Sequence, residues 1–353
     1  MQTESATRDT NLHTPASTRY RGPIWTLLIL APVIGEVLSG STRLSILFVL
    51  VPEVMVWGGG ALLCRELVRR WRAGAVSLLL LGLALSVAEE FLIQQTSLAP
   101  LPFPGINAAY GRYLGVNWVY FLFMLGYESV WVVLVPVQVT ELLFPSRREQ
   151  PWLRKRGLIA TCIVFLLGCR IAWYGWTQQA LKRLGVPPYH PPLAAFAAGF
   201  TAIALLIVCA YLLRAAGHAA SRSAANPWLL GGTALVFGSL WWALMMLVFS
   251  QHPAVPASEV LIAAALWALL AFALLRYFSS GSGWTDMHRW AISSGATVSC
   301  MLPSYLSLAG WTRPDLIFKI LINVMALIGF LLLARNIGKR GEGSPESDAS
   351  MNL

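Results

Sequence analysis

Charged residues are scarce in this sequence. Only 12% of its 353 residues are Asp, Glu, Lys or Arg, whereas 57% are hydrophobic. A soluble domain averages about 25% charged and about 45–50% apolar residues, so a soluble globular fold is excluded. The apolar residues fall in runs that match a bilayer, which needs about 20 residues for about 30 Å of hydrocarbon. The composition therefore predicts an all-α bundle of transmembrane helices whose first partner is the lipid bilayer.

Several short motifs of soluble enzymes are also missing. The five cysteines contain no Cys-x-x-Cys pair, which argues against zinc-binding and thiol-redox motifs. The five histidines show no metal-ligand spacing, and no nucleotide-binding glycine motif or Gly-x-Ser-x-Gly motif occurs. We therefore predict no metal site and no cofactor. His190 and His252 fall in loops on the predicted outer side, where they are either solvated or within reach of an acidic cavity.

Ten apolar segments are long enough to be membrane spans. They lie at 23–39, 44–66, 74–96, 117–143, 157–176, 192–214, 228–250, 257–279, 288–309 and 315–335. The first is short, and the ninth is interrupted by polar residues and Pro303. Together the ten form one predicted transmembrane domain at 23–337, with an acid-bearing half at 23–176 and a mostly apolar half at 192–335. The polar segments 1–22 and 338–353 are predicted to be disordered tails.

Lysine and arginine are distributed unequally between the two sides of this predicted bundle. Nineteen of the 26 lie in the tails and loops of one side, and five lie on the other. Because positive loops favour the cytoplasm, the rule predicts a multi-pass protein of the cell (inner) membrane with cytoplasmic N- and C-termini. The same loops explain the net charge of +10, so nucleic acid is not a predicted partner. The last two basic residues are Lys319, near the outer end of its helix where it can snorkel, and Arg170, inside the fifth helix.

Five glutamates lie well within the first four predicted helices: Glu36, Glu53, Glu89, Glu90 and Glu128. A rise of about 1.5 Å per residue places them between the membrane centre and its outer half, at a depth that Arg170 shares. Each charge at mid-bilayer costs about 2.5–3.5 kcal/mol or more. The acids must therefore be protonated, pair with Arg170 and other donors, or line a water-filled cavity. Since one arginine cannot neutralise five acids, at least two of these solutions must operate.

Glu89 and Glu90 form an adjacent pair about 100° apart on their helix, so both can border one cavity. Ser86 lies one turn before Glu90, and Gln94 lies one turn after it. Two neighbouring carboxyl groups repel each other when ionised, so one tends to keep a proton. This arrangement suits acid–base catalysis or proton coupling. The structural alternative is a protonated glutamate that only bridges helices by hydrogen bonds.

The segment Ala88-Glu89-Glu90-Phe91-Leu92-Ile93-Gln94 resembles the CAAX-protease and bacteriocin-processing (CPBP) family of intramembrane proteases. That family carries a Glu-Glu-x-x-x-Arg motif on a membrane helix, followed by Phe-x-x-x-His on another. Gln94 stands in place of the arginine, and Tyr127 follows Phe123 at the spacing of the histidine. Glu128 falls close to the position of that second motif. The resemblance covers the third and fourth helices, and it implies a membrane hydrolase in which Glu89 activates water.

Two further features allow two interpretations each. The loop at 97–116 joins the helices of Glu90 and Glu128, and its Pro, Gly and Tyr content suits either a cap over a cavity or an interfacial connector. Gly58-Gly59-Gly60 follows Glu53, and it favours either close helix packing or a broken helix beside the acids.

Three hypotheses for function follow. The first is a CPBP-like protease scaffold with Glu89, Glu90 and Glu128 as catalytic residues. The second is a proton- or cation-coupled transporter, and the third is a non-catalytic membrane scaffold. In each case the substrate is unknown. The residues assigned to the cavity or to ion coupling are Glu36, Glu53, Gln94 and Arg170.

Overall fold

The computed structural model describes residues 21–100, 107, 109–186, 189–215, 223–248, 254–279, 282–306 and 310–342. This part of the chain is mostly helical, which confirms the all-α prediction. One small hairpin pairs β1 (Arg112–Tyr113) antiparallel with β2 (Val116–Asn117). The tails expected at 1–22 and 338–353 lie largely outside the described residues, since the description begins at Arg21 and ends at Glu342.

Within the described ranges, ten long helices correspond to the ten predicted segments. They are α1 (21–37), α2 (Leu44–Arg70), α3 (Ala75–Ile93), α4 (Trp118–Leu143), α5 (Lys155–Arg183), α6 (Leu193–Ala215), α7 (Pro227–Val248), α8 (Ala257–Ser279), α9 (Asp286–Met301) and α10 (Arg313–Glu342). Eight of them are long and apolar enough to cross a membrane, as expected of an integral membrane protein. The other two are α1 and α9, the helices of the short and the interrupted segment.

Two helix ends differ from the prediction. Helix α9 stops at Met301 rather than at 309, because Pro303 has no backbone N–H to donate and opens a 3₁₀ turn at Pro303–Tyr305. Helix α10 continues through Glu342, so the first residues of the predicted C-terminal tail are helical. Lys339 and Arg340 in its last turn favour this extension by opposing the helix dipole, and Arg340 also donates to the Leu142 carbonyl oxygen (3.1 Å).

The helices that carry the acids lie at the centre of the bundle. In α3 and α4 the apolar span is 67% and 56% buried, whereas in α6 and α8 it is 11% buried. The outer helices expose large apolar side chains, such as Leu205, Leu266 and Leu331, as lipid-facing helices do. Helix α5 was assigned to the acid-bearing half, but only 6% of its span is buried, so it lies at the periphery.

The glycine triplet lies where α2 meets three other helices. A Cβ atom on Gly58 would clash with the Leu28 carbonyl oxygen of α1, and one on Gly60 would lie 2.7 Å from Leu85 of α3. One on Gly59 would lie 3.5 Å from Phe165 of α5. The Leu28 carbonyl is available for this contact because Pro32, four residues later, cannot donate to it. Close packing therefore accounts for the triplet.

We expect Gly58→Ala to destabilise the protein by about 1–3 kcal/mol, because the new methyl group meets backbone that cannot rotate away. The measurement is the thermal unfolding midpoint of the purified protein in detergent. Gly232→Ala in α7 is the matched control, since no atom lies within 4 Å of its added methyl group. It should leave the midpoint unchanged or raise it, as alanine is the better helix former. Equal midpoints for the two variants would show that α1 and α2 do not pack in this way.

Candidate functional site

The predicted glutamates lie on or directly beside π-helical segments. These segments are Val33–Val37 in α1, Val54–Gly58 in α2, Glu89–Ile93 in α3 and Glu128–Leu134 in α4, and a fifth spans Tyr174–Ala180 in α5. Glu36 lies inside the first segment, Glu53 immediately precedes the second, and Glu89 and Glu128 begin the third and fourth. π-Helix accounts for well under 1% of residues in proteins and often marks functional sites. Four such segments thus accompany the five acids.

The π-helical backbone also shifts the positions of the side chains that follow it. In α3 the N–H groups of Gln94 and Gln95 both donate to the Glu89 carbonyl oxygen, at 3.0 and 3.1 Å. The wider turn ends the helix at Ile93, and Gln95 takes a left-handed conformation with φ of 61°. The chain then reverses, which brings Thr96 and Ser97 back to Glu90. Gln94 itself is partly buried at this turn.

The structure brings the five glutamates into one group, named here the carboxyl cluster: Glu36, Glu53, Glu89, Glu90 and Glu128. Glu128 lies close enough to Glu89, Glu90 and Glu36 for their charges to interact. Glu53 also lies close enough to Glu36 for their charges to interact. The side chains of Glu89, Glu90 and Glu128 are at most 1% exposed, and Glu36 and Glu53 are partly buried. Four helices thus converge on one acidic group in the bundle interior.

Three members of the carboxyl cluster accept hydrogen bonds from neutral hydroxyl groups. Tyr127 Oη lies 2.8 Å from Oε1 of Glu36, and Thr42 donates to Oε1 of Glu53. Glu90 accepts from Thr96, which is 2.9 Å from both carboxyl oxygens, and from Ser97 at 2.5 Å. Such donors can solvate a negative charge without neutralising it.

The other two members, Glu89 and Glu128, have no such partner among the described residues. All four of their carboxyl oxygens are buried without a hydrogen bond, as is Oε2 of Glu53. Ser86 lies nearby, but its hydroxyl donates to the Met124 carbonyl oxygen (3.0 Å). Burying an unsatisfied polar group costs about 1–3 kcal/mol, and burying an ionised one costs more. Protons, water or a bound cation must therefore satisfy these two carboxyl groups.

Arg170 does not reach the carboxyl cluster, contrary to our prediction. Its side chain is exposed on the outside of α5, and its guanidinium lies over the Trp173 ring, 4.4 Å from the centroid. The estimated depth along α5 could not predict which way Arg170 faces. Because α5 lies at the periphery, a side chain on its outer surface points away from the bundle. Across the described ranges, no lysine, arginine or histidine forms an ion pair with any of the five carboxyl groups.

The loop at 97–116 contacts the carboxyl cluster through Ser97 at its first end. Ser97 donates to Glu90, and its carbonyl oxygen accepts from the backbone N–H of Asn117 (2.8 Å), which caps α4. Arg112 ties the loop together by donating to the carbonyl oxygens of Leu98 (2.9 Å), Ala99 (2.8 Å) and Gly115 (2.8 Å). A cavity of about 360 Å³ lies beside it and is lined by Leu98, Arg112 and Tyr189. Residues 101–106 and 108 lie outside the described part.

Sequence reasoning missed two polar groups. Lys319 does not snorkel: it is 2% exposed, donates to the Leu38 carbonyl oxygen and lies over Tyr305. At the other end of the bundle, Arg65 and Arg69 both bind Glu141, at 3.2 and 2.6 Å. The spacing of Arg65 and Arg69, one turn apart beside Glu66, was the available signal for this network.

The two histidines that the structure describes, His190 and His288, do not join the carboxyl cluster. His190 is exposed, and His252 lies outside the described residues. His288 is buried at the N-terminus of α9, where its Nε2 lies 2.9 Å from the Ala225 carbonyl oxygen. Among the residues that the structure describes, no three His, Cys, Asp or Glu side chains converge in a way that could hold a metal ion.

Comparison with known protein families, curated proteins and solved structures finds no match to this chain. Function must therefore be argued from the geometry of the carboxyl cluster.

We expect Tyr127→Phe to lower stability by about 1 kcal/mol, and by up to about 3 kcal/mol if Glu36 is ionised, because the variant removes a buried hydroxyl and keeps the ring. The thermal midpoint in detergent is the measurement. Tyr211→Phe is the control, since Tyr211 is exposed and contributes an edge-to-face ring contact with Trp71 that phenylalanine retains. If the two variants unfold at the same temperature, the Tyr127 hydroxyl does not stabilise Glu36.

Proposed function

We propose that the chain is a multi-pass membrane protein whose carboxyl cluster takes up and releases protons or a cation, as the coupling site of a transporter. The observation that carries this proposal is the set of four unpartnered carboxyl oxygens on Glu89 and Glu128. Acids this close together cannot all ionise without a compensating charge. Protons or a cation are the simplest means of neutralising them, and both can be exchanged.

The unequal surroundings of the acids support proton movement. A charge on Glu90 is solvated by the Thr96 and Ser97 hydroxyls. Among the described residues, Glu89 has no such donor, and Glu128 has only the nearby Ser86 hydroxyl, which donates to the Met124 carbonyl oxygen. A proton held by Glu89 or Glu128 can therefore pass to Glu90, leaving the residual charge where hydroxyls receive it. Intramembrane acids of proton-coupled carriers are used in this way.

The predicted topology supports access to Glu90 from outside. The charge distribution places the loop at 97–116 on the outer face, and Thr96 and Ser97 connect that loop to Glu90. At the opposite end of the bundle, buried ion pairs join Arg65 and Arg69 to Glu141. The cluster is thus linked through hydroxyls to one side and separated from the other by paired charges.

The test uses purified protein reconstituted in liposomes. We expect wild-type protein to show a carboxylic-acid infrared band that titrates with external pH, and to carry protons or cations down an imposed gradient. The double variant Glu89→Gln/Glu128→Gln should lose the flux and weaken the titrating band, to which Glu36, Glu53 and Glu90 still contribute, and it should remain folded in detergent. Glu259→Gln, which removes an exposed acid at the start of α8, should retain both. Flux in the double variant equal to that of the wild type would exclude these residues as the coupling site.

An intramembrane protease of CPBP type is the second candidate. One observation favours it: Glu128 lies beside Glu89 and Glu90, where the resemblance would place the second motif. The double variant Glu89→Gln/Glu90→Gln should abolish activity under either hypothesis. Bound zinc in purified protein without pH-dependent cation uptake would favour the protease, whereas uptake without bound metal would favour the transporter.

The orientation can be tested with reporter fusions. We expect alkaline phosphatase fused after Leu184, between α5 and α6, to be active, and the same enzyme at the C-terminus to be inactive because that end is cytoplasmic. Green fluorescent protein at the C-terminus should fluoresce. An active C-terminal phosphatase would show that α9, with its 16 residues, does not cross the membrane.

A further inference from the structure

A second polar cavity lies at the opposite end of the bundle from the loop at 97–116. It has a volume of about 140 Å³ and lies between the ends of α2, α3, α4 and α9. Val68, Leu78 and Val137 form its apolar wall. Its polar wall contains three arginines and two glutamates: Arg65, Arg69, Arg289, Glu141 and Glu149. The positive loops predict that this end faces the cytoplasm.

The two glutamates are already neutralised. Glu141 is bound by Arg65 Nε (3.2 Å) and by Arg69, whose Nη2 lies 2.6 Å from its Oε2. Arg69 Nη1 also reaches Glu149, a largely exposed side chain, at 3.0 Å. Arg65 also donates hydrogen bonds to the carbonyl oxygens of Arg148 (2.6 Å) and Gln150 (2.7 Å). Neither glutamate of the cavity wall forms an ion pair with Arg289 in the described structure, although both are near enough for their charges to interact with it.

Arg289 is the surplus positive charge. Within the described ranges its guanidinium forms no ion pair, although Asp286 lies one turn before it. Asp286 is occupied by Arg148, whose Nη2 lies 2.7 Å from both carboxyl oxygens. The Arg289 side chain is partly buried and lines the cavity. Its charge is thus directed at the cavity and not at a protein partner.

Two further groups in the cavity wall favour a ligand that is an anion and also carries a hydrogen-bond donor. Gly74 and Ala75 line the cavity at the N-terminus of α3, where no side chain caps the helix and the first N–H groups lack intrahelical acceptors. Gln138 also lines it, and its Oε1 is buried without a hydrogen bond among the described residues. A phosphate ester with a neighbouring hydroxyl matches both groups, and the volume exceeds that of a single water site.

We propose that this cavity binds a phosphate ester through Arg289 and the N-terminus of α3. The apolar wall beside the arginines and the expected position at the membrane surface make an anionic phospholipid headgroup the natural source of that ester. This inference is independent of the carboxyl cluster, since it involves the other end of α3 and α4.

The test measures binding of phosphatidylglycerol, phosphatidylcholine and glycerol 3-phosphate to the delipidated full-length protein in nonionic detergent. We expect phosphatidylglycerol to bind more tightly than phosphatidylcholine. Arg289→Gln should weaken that binding about tenfold, the equivalent of one charge-assisted hydrogen bond. It should change the unfolding midpoint little, because the guanidinium forms no ion pair with any residue that the structure describes.

Arg335→Gln is the matched control, since it removes an exposed arginine of α10 from the same predicted side, outside the cavity. It should bind phosphatidylglycerol like the wild type. Binding of glycerol 3-phosphate with the same sensitivity to Arg289→Gln, without a preference for the lipid, would support the phosphate site and assign it a soluble ester. Equal binding of both lipids with no response to glycerol 3-phosphate, or full binding by Arg289→Gln, would overturn the proposal.

Discussion

The structure depends on how it accommodates carboxyl groups inside an apolar bundle. A buried carboxylate loses its hydration, and within the bundle only hydrogen bonds, opposite charges, protons or trapped water can compensate for that loss. Five such groups converge from α1, α2, α3 and α4, so the packing of the central helices must be compatible with them. The π-helical segments lie at these points, and the most buried helices are those that carry Glu89, Glu90 and Glu128. The remaining helices surround this core and present apolar side chains to the exterior.

Two other buried glutamates, Glu66 and Glu141, can be compared with the carboxyl cluster. Glu66 accepts from the backbone N–H groups of Trp152 (2.6 Å) and Leu153 (3.2 Å), and Arg65 lies 3.2 Å from it. Glu141 is bound by two arginines. Glu66 thus joins α2 to the segment after α4, and Glu141 joins α4 to α2. Both buried acids are partnered, as structural acids are expected to be. Glu89 and Glu128 have no partner of this kind among the described residues. The contrast weighs against the hypothesis of a scaffold in which all the glutamates are structural.

Much of this arrangement follows from helical periodicity and apolar run lengths. Both features together correctly predicted the positions of ten helices and grouped the five glutamates by depth. They could not predict which way a side chain points around a lipid-exposed helix. Its estimated depth placed Arg170 level with the acids. Because α5 is apolar on most of its surface, the sequence offered no polar face from which the rotation of α5 about its axis could be predicted. Lys319 differs from its prediction in the opposite sense. Its position near a helix end suggested snorkelling, but the close approach of α10 to Leu38 buries its side chain. The π-helical segments have no residue pattern of their own, and Pro32 and Gly58 signalled only local departures from regular helix.

The distribution of charge along the bundle links these observations. At one end, arginines outnumber the acids they bind, and Arg289 is left facing a cavity. In the interior, acids are grouped with no base paired to them in the described structure. If stability alone had shaped the chain, the surplus arginine and the surplus carboxyl groups could have been replaced by apolar residues with little loss, because a buried polar group without a partner costs free energy. The two proposed sites, which bind ions of opposite sign at separate places, account for these unpaired groups. The surplus arginine at that end favours an anion, and the surplus carboxyl groups in the interior favour protons or a cation. We therefore regard both groups as ligand sites on one helical framework, and α3 connects them with Ala75 at one end and Glu90 near the other.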